Sequence, residues 1–92
     1  MIIYAEVECK FYEGRSLKQK RSVIKRLIAK LRKDFNVSVT ELAYHDLWQR
    51  TKLGIVTISN NKIHAEQMMQ EVLKVIDTYP ELERTITEVE HL

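Results

Sequence analysis

The chain has 92 residues, 45% apolar and 30% charged, with two Gly, one Pro and one Cys. That length predicts one domain, residues 1–92, with a single shared core, and the apolar content excludes intrinsic disorder. The lone Cys9 excludes an internal disulfide and a Cys-rich zinc site. No apolar run is long enough to span a membrane as a helix, and no basic-then-apolar leader pattern is evident. Net charge is only +2, but residues 1–33 carry ten Lys/Arg against three Glu, whereas residues 34–92 carry five against ten acids. Such asymmetry predicts either a nucleic-acid face or two halves that attract each other.

Ile2–Phe11 alternates, with Ile3, Ala5, Val7, Cys9 and Phe11 on one side and Tyr4, Glu6, Glu8 and Lys10 on the other. This is the pattern of a half-buried strand. Residues 13–15 break it, and Ser16 offers an N-cap. Residues 16–35 then read as one long helix. Leu17, Ile24, Leu27, Ile28, Leu31 and Phe35 fall within a sector of roughly 100°. Eight of the fifteen Lys/Arg residues lie between Lys18 and Lys33 without an intervening acid. Most fan across the opposite side, but Lys20 points toward the apolar stripe, so it must snorkel or find an acid.

Asn36 is expected to close the helix in the left-handed conformation. Residues 37–44 read as a second strand whose imperfect alternation implies a bulge. Residues 45–51 connect it to a third strand at 52–59, and the short spacing favours an antiparallel hairpin. Asn60 and Asn61 offer caps for a second amphipathic helix that Pro80 ends. Residues 84–92 make a last strand with Glu88 and Glu90 in alternation. The order βαββαβ predicts an α+β, ferredoxin-like sandwich: a four-stranded antiparallel sheet with two helices on one face. Right-handed crossovers place the first and third strands centrally.

That fold hosts many functions, so the site must decide. The third strand lacks the aromatic residues of an RNA-recognition sheet, and there is no Gly-x-x-Gly loop. His45, His64 and His91 show no metal-ligand spacing, and no nucleophile–base arrangement is legible. An acylphosphatase-like cradle would need a second Gly near Gly14 and Arg15, and an Asn on the third strand. Neither is present, so no catalytic residue, metal or cofactor is expected.

The helix supports two readings. Arg15, Lys18, Arg21, Lys25, Arg26, Lys30, Arg32 and Lys33 could contact nucleic-acid phosphates, which requires cations but no exact spacing. Alternatively, the charge run is a solvated face that keeps a small domain soluble. The lack of interleaved acids gives the first more weight than a charge run ordinarily has, because i,i+4 ion pairs are not being built, but the solvated face stays ahead of it. Trp48 is similarly open: it either seals the end of the core or anchors a partner together with Arg50. On the open sheet face, Ile2, Tyr4, Ile55 and Thr57 are expected to form an apolar strip among Glu6, Glu8 and Glu88. A homodimer would cover it.

The runs Ser16-Leu17-Lys18-Gln19-Lys20-Arg21-Ser22-Val23, Phe35-Asn36-Val37-Ser38-Val39 and Asp46-Leu47-Trp48-Gln49-Arg50 resemble the YlxP-like family of small bacterial proteins. Gly54 and the Ser59-Asn60 turn are similar too. The likeness covers essentially the whole chain. Genes of that family often lie among translation and ribosome-maturation genes. The resemblance therefore implies a cytoplasmic protein connected with RNA or ribosomes, and implies no catalytic residue. Lys20, Asp46, Trp48 and Arg50 enter as motif positions without a role. The expectation is a non-enzymatic homodimer that binds RNA or ribosomal particles through its basic helix. The alternative is a homodimeric protein–protein interaction module with no nucleic-acid role.

Overall fold

The structure is a computed structural model that describes residues 1–12 and 16–92. Its elements run β1 (Ile2–Phe11), α1 (Leu17–Asp34), β2 (Val37–Ala43), β3 (Arg50–Ile58), α2 (Lys62–Asp77) and β4 (Leu82–His91). The strands form one antiparallel sheet in the order β2-β3-β1-β4. This is the ferredoxin-like arrangement that the element order predicts, with β1 and β3 central.

Alternation decides which side of β1 is buried. Ile3, Ala5, Val7, Cys9 and Phe11 face the helices, while Leu53 and Ile55 of β3 and Val39 of β2 extend the same layer. Val23, Ile24, Leu27 and Leu31 of α1, with Ala65, Met69, Val72 and Ile76 of α2, close the core from above. A central residue such as Leu27, fully buried, is worth about 2–5 kcal/mol against alanine. Cys9 lies inside this layer, and burial pushes its thiol up to about 12, which keeps it inert.

The caps follow side-chain chemistry. Ser16 accepts the Gln19 amide at 3.2 Å and Asn61 accepts the His64 amide at 3.0 Å; each satisfies a donor left free by the first helical turn. The end of α1 differs from expectation. Phe35 is the cap and is extended, with φ −135°, and Asn36 is not left-handed. Instead, the Asn36 side-chain amide donates to the Ile58 carbonyl at 3.2 Å, tying the turn to β3.

The open sheet face also needs correction. Ile2 and Tyr4 lie on it, but Ile55 and Thr57 do not. Pairing sets Ile55 opposite Ala5 and Thr57 opposite Ile3, both of which face the core, and a one-residue change of register inverts a strand's faces. The apolar strip is therefore Ile2, Tyr4, Val56 and Ile58, with Leu42 beside it. Leu42 folds over Gly54, where an added Cβ would stand 3.0 Å from its nearest carbon. The predicted bulge in β2 falls between Glu41 and Ala43.

Candidate functional site

Two groups of basic side chains lie on α1. Lys18, Arg21, Lys25, Arg26, Lys30, Arg32 and Lys33 are all exposed, but they are not equivalent. Arg26 donates to Glu81 at 2.8 Å and lies 6.0 Å from the Tyr79 ring centroid. That hydrogen bond is the main reason the Glu81 carboxyl is held below its ordinary value. Lys30 bonds Asp34 at 2.9 Å, which raises the lysine's pKa. This is an i,i+4 pair of the kind the sequence suggested was not being built; the acid follows the basic run rather than interrupting it. Arg21 lies 3.5 Å from Asp46. Arg32 reaches over the sheet edge and donates to the Val39 carbonyl at 2.8 Å.

Lys18, Lys25 and Lys33 have no acid partner among the described residues. With Ser22 and Ala29 they occupy positions 18, 22, 25, 29 and 33, one line along the outermost face of the helix. At 1.5 Å per residue the three ammonium groups are rooted about 10.5 and 12 Å apart. The small side chains between them leave the helix surface low. Arg15 lies outside the described residues, as does Gly14.

Charge asymmetry between the two parts of the chain is partly consumed internally. Lys20–Glu41, Arg21–Asp46, Arg26–Glu81 and Lys30–Asp34 join a cation of residues 1–33 to an acid of residues 34–92, whereas Arg50–Glu8 and Lys52–Glu6 pair in the opposite sense. On α1 this pairing leaves the lysine line and Arg32 without an acid partner among the described residues.

Lys20 is different in kind. Its side chain is 1% exposed, and its ammonium sits 3.1 Å from a Glu41 carboxylate oxygen. It also donates to the Tyr44 carbonyl at 2.5 Å, while the Thr51 hydroxyl donates to the same Glu41 oxygen at 2.5 Å. Tyr44 has φ 67°, a left-handed backbone that is uncommon for a residue with a side chain. Its carbonyl also accepts the Leu47 amide at 3.1 Å, so two donors hold the conformation that ends β2.

The other motif positions gather beside this cluster. Asp46 is 93% exposed and, among the described residues, reaches only Arg21. The Arg50 guanidinium stacks 4.2 Å from the Tyr44 ring centroid and lies 3.2 Å from Glu8. Trp48 is half-buried. Residues distant in sequence, in the first turn of α1 and the β2–β3 connection, thus form one corner of the molecule. Glu41, Thr51 and the left-handed Tyr44 were missed from sequence; only the unpartnered Lys20 signalled that such an acid had to exist.

Among the described residues, no group of three or more His, Cys, Asp or Glu side chains could hold a metal ion. No described helix is long and apolar enough to cross a membrane.

The sequence model of DUF503, described as a protein of unknown function, matches residues 2–89. The chain is 48% identical over 90 residues to the uncharacterized protein YlxP of Bacillus subtilis strain 168, covering 98% of each. Among solved structures, it is similar to SnoaB, a cofactor-independent oxygenase from Streptomyces nogalater, at TM-score 0.64 and 12% identity. That match covers 99% of this chain and 92% of the other. A structural-genomics protein, YJCS, matches at TM-score 0.63 and 11% identity over 100% and 99%. A de novo designed ferredoxin-fold protein, LFR1 1, matches at 0.59 and 15% over 100% and 87%. At these identities the structural likenesses speak for the fold alone.

Proposed function

The chain belongs to the DUF503 family, and from that premise we propose that it is a non-catalytic, cytoplasmic module that binds the RNA backbone, free or within ribosomal particles, through the outward face of α1. The observation that carries this reading is the line of Lys18, Lys25 and Lys33. Three ammonium groups without an acid partner among the described residues leave a strip of uncompensated positive charge on a rigid helix, separated by Ser22 and Ala29. A phosphate chain needs little more from a protein that reads no sequence. The paired Arg26 and Lys30, and Arg32 on its carbonyl, flank the strip and add long-range attraction rather than primary contacts.

The test is binding to total RNA and to purified ribosomal particles across a salt series. Each phosphate neutralised on single-stranded RNA contributes a slope of about −0.7 in log K against log salt. Replacing Lys18, Lys25 and Lys33 with Glu is expected to abolish binding. Neutral replacement with Gln should flatten the slope by about 2, taking about 0.7 for each of three contacts. Glutamate replacements that left binding unchanged would sink the proposal.

A second reading rests on the open sheet face, where Ile2, Leu42 and Ile58 are exposed, Ile58 by 60%. An apolar strip of this kind is covered when two copies pack face to face. In that reading the protein is a homodimeric interaction module. Sedimentation equilibrium of the parent and of Ile58→Glu distinguishes it: a dimer that the substitution splits supports it, and a monomeric parent rejects it.

A further inference from the structure

A groove of about 440 Å³ runs between α1 and the free edge of β2. We propose that it docks an extended acidic segment of a partner protein, which adds to β2 as a fifth strand.

The edge of β2 supplies the first argument. The Val39 carbonyl accepts from Arg32, and the Glu41 carbonyl is 2.9 Å from His45 Nε2. Both carbonyls therefore point away from β3. In an antiparallel strand the N–H and C=O of one residue point to the same side, so the Val39 and Glu41 amides also face outward. Two side chains shield the carbonyls of this edge, and its donors stay open. Such an edge accepts another strand, through whose carbonyls the open donors would be satisfied.

The groove's walls supply the second. Ile28 and Ala29 form an apolar floor, and Arg21, Lys25 and Arg32 line the rim. None of these three cations is firmly committed to a carboxylate. Among the described residues, Arg21 has only the 93%-exposed Asp46 at 3.5 Å. Arg32 holds a carbonyl, and Lys25 has no acid partner among the described residues. An incoming strand would take the Val39 carbonyl with its own N–H and free Arg32 for a carboxylate.

Geometry sets the segment's pattern. Alternate side chains of an added strand would repeat every 6.6–6.8 Å, roughly the spacing of one helical turn. Those on the α1 side would meet the three cations. Those on the other side would lie beside Leu42, whose apolar hollow of about 180 Å³ includes Tyr4, Gly54 and Val56. Acidic residues alternating with apolar ones satisfy both sides. A nucleic acid would meet the cations but leave the apolar floor and the edge amides unread.

The probe is a blocked hexapeptide of alternating Glu and Val, titrated into the full chain labelled with nitrogen-15. Its Lys/Val counterpart and a uridine oligonucleotide serve as comparisons. The Glu/Val peptide should shift the Val39 and Glu41 amide signals and slow their hydrogen exchange. R21E/R32E should weaken it at least tenfold while the spectrum stays dispersed, and K18E/K33E, which disables the RNA strip but not the groove, should leave peptide binding within threefold of the parent. Silence of the Val39 and Glu41 amides would overturn the proposal, as would equal binding of the Lys/Val peptide. It would also fail if the oligonucleotide, rather than the peptide, moved those two amides. Loss of RNA binding in K18E/K33E with peptide binding intact would separate this site from the RNA strip.

Discussion

Lys20 and Lys25 stand five residues apart on one helix and have opposite fates. Lys25 leaves the outward face into water; Lys20 leaves the inward face and ends against Glu41, Thr51 and the Tyr44 carbonyl. The same side chain is thus a fixed part of the fold at one position and, among the described residues, a charge without an acid partner at the other. Angle about the helix axis makes the difference. Lys20 shares the sector of Leu27 and Leu31, so its ammonium is removed from water and must be matched by fixed acceptors. Lys25 is exposed and keeps its hydration.

The strongest way to break this comparison is at Lys20. Lys20→Met keeps the length of the side chain but leaves Glu41 without its cation. It should cost about 3–5 kcal/mol, read as a fall in urea midpoint at unchanged m. Lys20→Met with Glu41→Leu should recover most of that loss, because no uncompensated charge then remains. A single substitution costing under about 1 kcal/mol would show that the buried pair does not hold the corner together.

A weaker contrast lies at Arg26, which is paired but exposed. A carboxyl depressed in the folded state stabilises above its unfolded pKa, and the contribution is lost as pH falls through the folded value. Glu81 is depressed chiefly by Arg26. Arg26→Gln should therefore cost less than about 1 kcal/mol at pH 7, measured by thermal melts across pH. The pH-dependent part of the difference should fade below about pH 4, where a glutamate is protonated. A gap that widened toward acid would contradict the pairing.

The smallest effect on stability is expected at the lysine line. Replacing Lys18, Lys25 and Lys33 with Gln should change stability by no more than about 0.5 kcal/mol, as exposed sites without fixed partners usually do. The same three changes are expected to have the largest effect on RNA binding. Stability and binding therefore rank the two groups of lysines in opposite orders.

Much of the fold was legible because it rests on periodicity. Alternation in β1 and the stripe of α1 require only that apolar side chains leave water. They determined the βαββαβ order, the central strands and the core side of β1. The singular position of Lys20 was legible for the same reason, since an ammonium in an apolar sector needs an acid. Its partner was not legible: Glu41 is 21 residues away on a bulged strand, and the register of β2 against β3 chooses it. Register also sent Ile55 and Thr57 to the core and Val56 and Ile58 to the open face. Which cations of α1 are occupied was hidden likewise, because Val39, Asp46 and Glu81 come from β2, the connection after it and the turn before β4. The sequence by itself thus determined which faces must be buried and where one buried charge must find an acid. Only the tertiary structure decided which charges are consumed and which have no partner among the described residues, because ion pairing depends on distances that close only when distant segments pack together.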